Sequence, residues 1–138
     1  MNLTQKYIDE LSYAIIGCAI EVHKYLGPGL MESVYEKCFV RELFLHDLNY
    51  SRQLLVPVEY KGMQLEGELR LDVLVEDLIL VELKAIDALL PVHEAQVLTY
   101  MKLMQKPKGI LINFNCINIF KEGQKTFVNE LYAALPKM

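Results

Sequence analysis

Leu69-Arg70-Leu71-Asp72-Val73-Leu74-Val75-Glu76-Asp77-Leu78-Ile79-Leu80-Val81-Glu82-Leu83-Lys84 is the stretch that decides how this chain folds. Two aliphatic runs, Leu69–Val75 and Leu78–Lys84, flank the polar break Glu76-Asp77, which is the pattern of a β-hairpin. Alternate residues of a strand share a face, so Glu82 and Lys84 point one way and Leu83 the other. Directly opposed residues of an antiparallel hairpin have a constant index sum. A two-residue loop at Glu76-Asp77 would set Asp72 against Val81, on the wrong face. A loop of odd length shifts the sum by one and sets Asp72 against Glu82. The spacing therefore predicts a three- or five-residue loop, or a bulge. Polar groups inside apolar strands are costly unless paired or bound, and two opposed carboxylates repel each other. A divalent cation between them would turn that repulsion into ligation. Two oxygen ligands beside an ammonium are also what metal-assisted phosphodiester hydrolysis requires. The competing interpretation is a salt-bridged pair of strands.

Around this hairpin the chain has 138 residues, of which 53% are apolar, enough for one domain with a proper core and too many for a disordered segment. We expect a single domain over residues 1–138. The net charge of −4 argues against a surface that binds nucleic acid all over, because phosphate contacts need clustered Lys and Arg. A local basic groove is compatible with it. Cys18, Cys38 and Cys116 are scattered and odd in number, so neither a zinc knuckle nor a disulfide framework is expected, and a reduced, cytoplasmic setting is. The N-terminal residues lack a signal-peptide pattern. The apolar stretch from Ala14 to Ile20 is too short to span a bilayer.

Thr4 or Asn2 suits the cap of a first helix reaching about Tyr25, with Tyr7, Leu11, Ala14, Ile15, Cys18, Val22 and Leu26 at helical spacing. Gly27-Pro28-Gly29 ends it. A second helix is expected from about Leu30 to His46, with Val34, Cys38, Leu43 and Leu45 as apolar positions and Glu32, Glu36, Lys37, Arg41 and Glu42 among the polar ones. Tyr50–Tyr60 reads as a strand that Pro57 demotes to an edge, and Lys61-Gly62 as a turn. Pro91 suits the start of a third helix, roughly Val92–Gln105. Gly109–Phe114 has strand length, a further short strand is expected over Ile117–Phe120, and Thr126–Leu135 fits either strand or helix. A strand meander followed by a helical crossover implies a mixed sheet with helices packed on it.

Several further residues gather toward the hairpin. Glu32 lies one turn into the second helix, and Gln96 and Tyr100 are four apart on one face of the third. His93 is one turn before Gln96, and His23 precedes the glycine turn. Gly29-Leu30-Met31-Glu32-Ser33-Val34-Tyr35 fits Gly-x-x-Glu-x-x-Tyr. With His23 and Leu26-Gly27-Pro28-Gly29, Asp72 and Glu82-Leu83-Lys84, His93-Glu94-Ala95-Gln96 and Tyr100, and Gly109-Ile110-Leu111-Ile112-Asn113-Phe114, the chain resembles the GxxExxY proteins from about residue 8 to 130. These in turn look like a branch of the PD-(D/E)xK nuclease superfamily. The resemblance implies an α/β (α+β) fold with a restriction-endonuclease-like core. That core is a mixed four-stranded sheet flanked by helices in the order αβββαβ, here with an extra N-terminal helix. It implies that Asp72, Glu82 and the Leu83 carbonyl bind Mg²⁺ or Mn²⁺, with Glu32 completing the metal shell. Lys84 would position or activate the attacking water or stabilise transition-state charge, and Gln96 would orient substrate or water. One departure is Leu71, which stands where proline commonly precedes the aspartate.

Two functions follow as expectations. The first is a magnesium-dependent phosphodiesterase, a nuclease acting on nucleic acid and most readily on DNA. Lys61, Lys102, Lys106 and Lys108 are its candidates for strand contacts, and Lys102–Lys108 is the basic cluster. The second is a nuclease-fold binding or assembly module whose site works only with a partner. Tyr35 and Tyr100 fit core packing with a bonded hydroxyl. His23 and His93 fit structural roles or contacts to a substrate phosphate, as Tyr100 and Lys102 fit weak substrate contacts. The apolar content suits a homodimer or a protein partner.

Overall fold

The structure, a computed structural model, describes residues 2–138. It opens with α1 (Gln5–Leu26), whose first turn is capped by Thr4, the hydroxyl accepting from the Tyr7 amide at 3.1 Å. Gly27, at φ +71°, ends the helix and donates to the His23 carbonyl at 2.8 Å. The second helix, α2 (Glu32–Leu45), follows. Tyr35 locks the turn between them: its hydroxyl donates to the Gly27 carbonyl and accepts from the Leu30 amide at 3.2 Å. Its ring stacks on Phe114 with centroids 4.4 Å apart. This stacking sets the roll of α2. Tyr35, Glu36, Phe39, Val40 and Leu43 are buried, whereas Val34 and Leu45, expected on the apolar side, are exposed.

Next come β1 (Tyr50–Leu55), β2 (Val58–Tyr60), β3 (Met63–Leu65), β4 (Arg70–Val75), β5 (Ile79–Lys84), α3 (Pro91–Met104), β6 (Lys108–Asn113), α4 (Ile119–Glu122), β7 (Gln124–Val128) and α5 (Glu130–Ala133). The expected core order, helix, three strands, helix, strand, is α2, β1, β4, β5, α3, β6. The expected four-stranded mixed sheet gains a fifth strand, giving β1-β4-β5-β6-β7. Pairing is antiparallel except between β5 and β6, which run parallel across the α3 crossover. The segment after Pro57 leaves the sheet as a separate hairpin of β2 and β3, turning at Lys61-Gly62 with φ of 48° and 87°.

Near the C-terminus one expectation is corrected and another is resolved. The strand expected over Ile117–Phe120 is instead the one-turn helix α4, because the Asn118 side chain accepts from the Lys121 amide at 2.9 Å and caps it. The segment left open between strand and helix is both: β7 ends at Val128, and Asn129 caps α5 through the Leu131 and Tyr132 amides. Apolar layers cover both faces of the sheet. Val73, Val75, Ile79, Val81, Leu83, Ile110 and Ile112 pack on α1 and α2. Leu74, Leu80 and Leu111 pack on Val97, Tyr100 and Met101 of α3. Gly109 allows α3 that close: a Cβ there would lie 2.6 Å from Val97 Cγ1 and 2.9 Å from Met101 Sδ. Among the described residues, no helix is long and apolar enough to cross a membrane.

Candidate active site

The β4–β5 hairpin sets the register of the site. Val73 pairs with Val81, Leu74 with Leu80 and Val75 with Ile79, so the loop is the odd-length segment Glu76–Leu78. Glu76 and Asp77 take φ of 52° and 57°, as tight hairpin turns require. The Leu78 amide donates to the Val75 carbonyl at 3.0 Å. Leu78 is the extra residue, and continuing the register sets Asp72 against Glu82, as strand parity demands.

Regular pairing stops one step short of that pair, and side chains take over. The Asp72 amide donates to Glu82 Oε1 at 3.1 Å, and the Leu83 amide donates to Asp72 Oδ2 at 2.8 Å. On the other edge of β4, Arg52 pairs with Val73 and Leu54 with Leu71, leaving Gln53 opposite Asp72 at φ +51°. The index sum is the same on both sides of this gap, so no residue is inserted. Strand β4 is released from the regular ladder of both neighbours at Asp72.

This arrangement is electrostatically loaded. Glu82 is only 3% exposed, and moving an ion out of water costs several kcal/mol. Burial first, then the Asp72 charge, pushes the Glu82 carboxyl up to about 8. Burial also raises Asp72, the Leu83 amide opposes that shift, and the Glu36 charge adds to it. The Lys84 charge favours the ionised form of both acids. Yet among the described residues no carboxylate oxygen lies within 4.0 Å of the Lys84 ammonium. Lys84 is thus a neighbour of the acidic pair without closing a salt bridge on either member.

Helix α3 contributes two of the expected residues. Gln96 Nε2 donates to the Tyr100 hydroxyl at 3.1 Å. Burial raises the Tyr100 hydroxyl, the Gln96 bond opposes this, and the Glu82 and Asp72 charges add to the rise, which puts the pair within electrostatic reach of both acids. The α2 carboxylate whose charge acts on Asp72 is Glu36, 7% exposed. Arg52 and Gln53 bond it. Glu32, one turn earlier, is exposed and makes no hydrogen bond or ion pair with a described residue. Glu36, Arg52 and Gln53 were not singled out from sequence. A charge at the spacing of Tyr35, Phe39, Val40 and Leu43 was the available signal for Glu36.

Five further expected contact residues take no part in these hydrogen bonds. His93 Nδ1 accepts from the Leu90 amide at 2.9 Å and caps α3. His23 is buried, with Nε2 2.8 Å from the Cys116 carbonyl, tying α1 to the segment after β6. Lys102 is exposed on α3 toward its C-terminal end. Lys106 and Lys108 belong to the opposite end of the sheet: Lys108 pairs in register with Ile79, whereas Lys84 pairs with Asn113. Five residues of strand separate those ends by about 17 Å.

A family model described as the PD-(D/E)XK nuclease superfamily matches residues 9–127. The chain belongs to this superfamily. No curated protein and no solved structure matches it. PD-(D/E)XK nucleases generally use divalent metals. Among the described residues there is no group of three His, Cys, Asp or Glu side chains that could hold one. The residues that could hold one are the carboxylate pair. It still fits a hard divalent cation, because Mg²⁺ is commonly held by one or two carboxylates with solvent completing its shell. Burial first, and then their neighbouring negative charges, raise the Glu82 and Asp72 carboxyls, and a cation between them would oppose both effects.

Proposed function

We propose that the chain is a Mg²⁺- or Mn²⁺-dependent phosphodiesterase acting on nucleic acid, most readily DNA. The observation that carries this reading is the opposed pair of a half-buried Asp72 and a buried Glu82, with Lys84 beside it and no salt bridge among the described residues closing it. Asp72 and Glu82 would hold the cation, with the Leu83 carbonyl as a further oxygen and Glu32 reaching in from solvent. A cation so held would polarise a phosphoryl oxygen and make water a stronger nucleophile at neutral pH.

The protein's own groups supply the rest. The Leu83 amide fixes one oxygen of Asp72, and the Asp72 amide fixes one oxygen of Glu82, so both carboxylates are oriented before substrate arrives. The Lys84 ammonium, free of a carboxylate partner, is available to stabilise charge that builds on the phosphoryl oxygens. The Gln96–Tyr100 pair offers donors that orient the substrate from the α3 side. The test is cleavage of single- and double-stranded DNA and RNA with Mg²⁺ or Mn²⁺, against Asp72→Ala as control. Metal-dependent cleavage lost in the variant supports the reading, and no cleavage of any substrate removes its main support.

A second reading is favoured by the placement of charge. Lys106 and Lys108 are spent on Asp77 and Asp9 at the far end of the sheet, so these two cations do not serve a phosphate backbone beside Asp72. In this reading a second copy or another protein supplies the strand contacts and switches on the site. Cation binding by the isolated chain without cleavage, together with cleavage on adding the partner, would distinguish it. Three free thiols, at Cys18, Cys38 and Cys116, suit a reducing compartment such as the cytoplasm in either case.

A further inference from the structure

Gln53 occupies the gap where β1 lets go of β4, and its side chain meets two carboxylates. Its amide has one possible orientation there, because only the NH₂ end can face two acceptors. Nε2 donates to Glu36 Oε1 at 2.7 Å and lies 3.5 Å from Asp72 Oδ1. Arg52 holds the other oxygen of Glu36, with Nε at 3.1 Å and Nη2 at 2.7 Å from Oε2. Both oxygens of Glu36 are therefore committed, and the side chain is buried. Asp72 is gripped from two sides, Oδ2 by the Leu83 amide and Oδ1 by Gln53. Gln53 does this from φ +51°, a backbone conformation that side chains with a Cβ rarely adopt and that persists only where its surroundings impose it.

We propose that Gln53 is a positioning residue for Asp72, with Glu36 and Arg52 as its anchor. Arg52 clamps Glu36, Glu36 fixes the Gln53 amide, and the amide holds the Asp72 rotamer that opposes Glu82. The inference rests on Asp72 and Glu82 forming a divalent-cation site, and it goes further. It assigns Glu36, the third carboxylate within reach, to the support of the ligands and not to the ligands themselves. It also explains why the strand is distorted without an insertion: the distortion brings the Gln53 amide between two acids that would otherwise only repel.

The test is calorimetric titration of Mn²⁺ into the wild-type chain, Gln53→Gly and Gln53→Asn, with urea stability measured for each. Glycine adopts φ +51° without strain, so Gln53→Gly removes the amide while relaxing the backbone. Asparagine also tolerates positive φ but is one methylene too short to span both carboxylates. Both variants are expected to fold, with urea stability lowered by no more than the loss of one hydrogen bond to Glu36, and to bind Mn²⁺ about tenfold or more weakly, the usual effect of losing a group that orients a ligand. Wild-type Mn²⁺ affinity in Gln53→Gly overturns the positioning role and leaves the cation site standing. If the glycine variant does not fold, the same affinity in Gln53→Asn overturns it. A wild-type chain that takes up no Mn²⁺ overturns the cation site and the inference together.

Discussion

The two ends of the β5–β6 pair bury charge in opposite ways. At the Lys108 end every buried charge meets its opposite. Lys108 is 8% exposed, with Nζ 3.3 Å from Asp9 Oδ1, and the Tyr132 hydroxyl donates to Asp9 at 2.9 and 3.0 Å. Lys106 reaches Asp77 at 3.1 Å. At the Lys84 end, two like charges face each other across the strand pair, a third carboxylate adds to the strain, and the lysine closes no ion pair. Both ends meet the cost of burial with hydrogen bonds. Only one sets two acids against each other, and that is the end we propose as the active site. The contrast teaches that the sign arrangement of buried groups, more than their burial, separates a candidate site from a structural clamp.

The largest effects should follow from removing the like-charged pair. Asp72→Ala or Glu82→Ala is expected to abolish Mg²⁺-dependent cleavage, whereas Asp9→Ala leaves the rate unchanged. Gel-based cleavage assays check this, and activity surviving in Glu82→Ala would erase the distinction between the two ends. Lys84→Met comes next. We expect cleavage to fall by about 100-fold or more, the scale of losing one transition-state charge stabiliser. Mn²⁺ affinity should hold or rise, because a positive neighbour has been removed. A parallel fall in affinity and rate would instead make Lys84 a structural partner of the acids.

A smaller effect is a pH dependence confined to one end. Glu82 is raised from an ordinary 4.5 to about 8 in the fold, so between those values the native state binds more protons than the unfolded chain. Stability is then full below about pH 4.5 and is lost as pH rises through about 8, by a few kcal/mol at most. Urea unfolding of the metal-free protein across this window should show the decline, and Glu82→Gln should flatten it. Adding Mn²⁺ should restore stability most at the alkaline side, by mass action on the ionised pair. A wild-type profile as flat as that of Glu82→Gln would mean that Asp72 and Glu82 do not share the burden.

Much of this comparison is legible in the amino-acid sequence, and the physical reasons differ from one feature to the next. The hairpin register followed from parity once Asp72 and Glu82 were required to share a face, since a period of two then demands a loop of odd length. The extents of α1 and α3 followed from an apolar stripe and from Thr4, Gly27 and Pro91 at the ends. The choice between Glu32 and Glu36 did not follow. Both lie on the same side of α2, and the roll of that helix is fixed by Tyr35 stacking on Phe114, a contact distant in sequence. The positive φ of Gln53 was equally hidden, because glutamine carries no preference for it. The basic cluster Lys102–Lys108 was visible, but its position was not: the parallel pairing of β5 with β6 carries it to the wrong end. The short helices α4 and α5 turn on single asparagine caps, which outweigh the strand-like composition around them.

The smallest expected effects test whether the far end is only a clamp. Lys108→Ala leaves Asp9 with the Tyr132 hydroxyl but without its cation, and opens space beside the Tyr132 ring, which lies 5.8 Å from Nζ. We expect a loss of about 1–2 kcal/mol in urea stability, the scale of a hydrogen bond to a charged group. Lys108→Met should recover part of it, because the aliphatic stem would still pack while Asp9, half exposed, finds water. Lys106→Ala should cost less, about 0.5 kcal/mol, since Asp77 is 85% exposed and surface pairs contribute little. Mn²⁺ affinity should not move in any of the three, because the ladder from Ile79 to Lys84 separates the two ends. A fall in Mn²⁺ affinity in Lys108→Met, at a stability close to wild type, would show that the two ends communicate through the strands. The clamp would then belong to the function as much as the acids do.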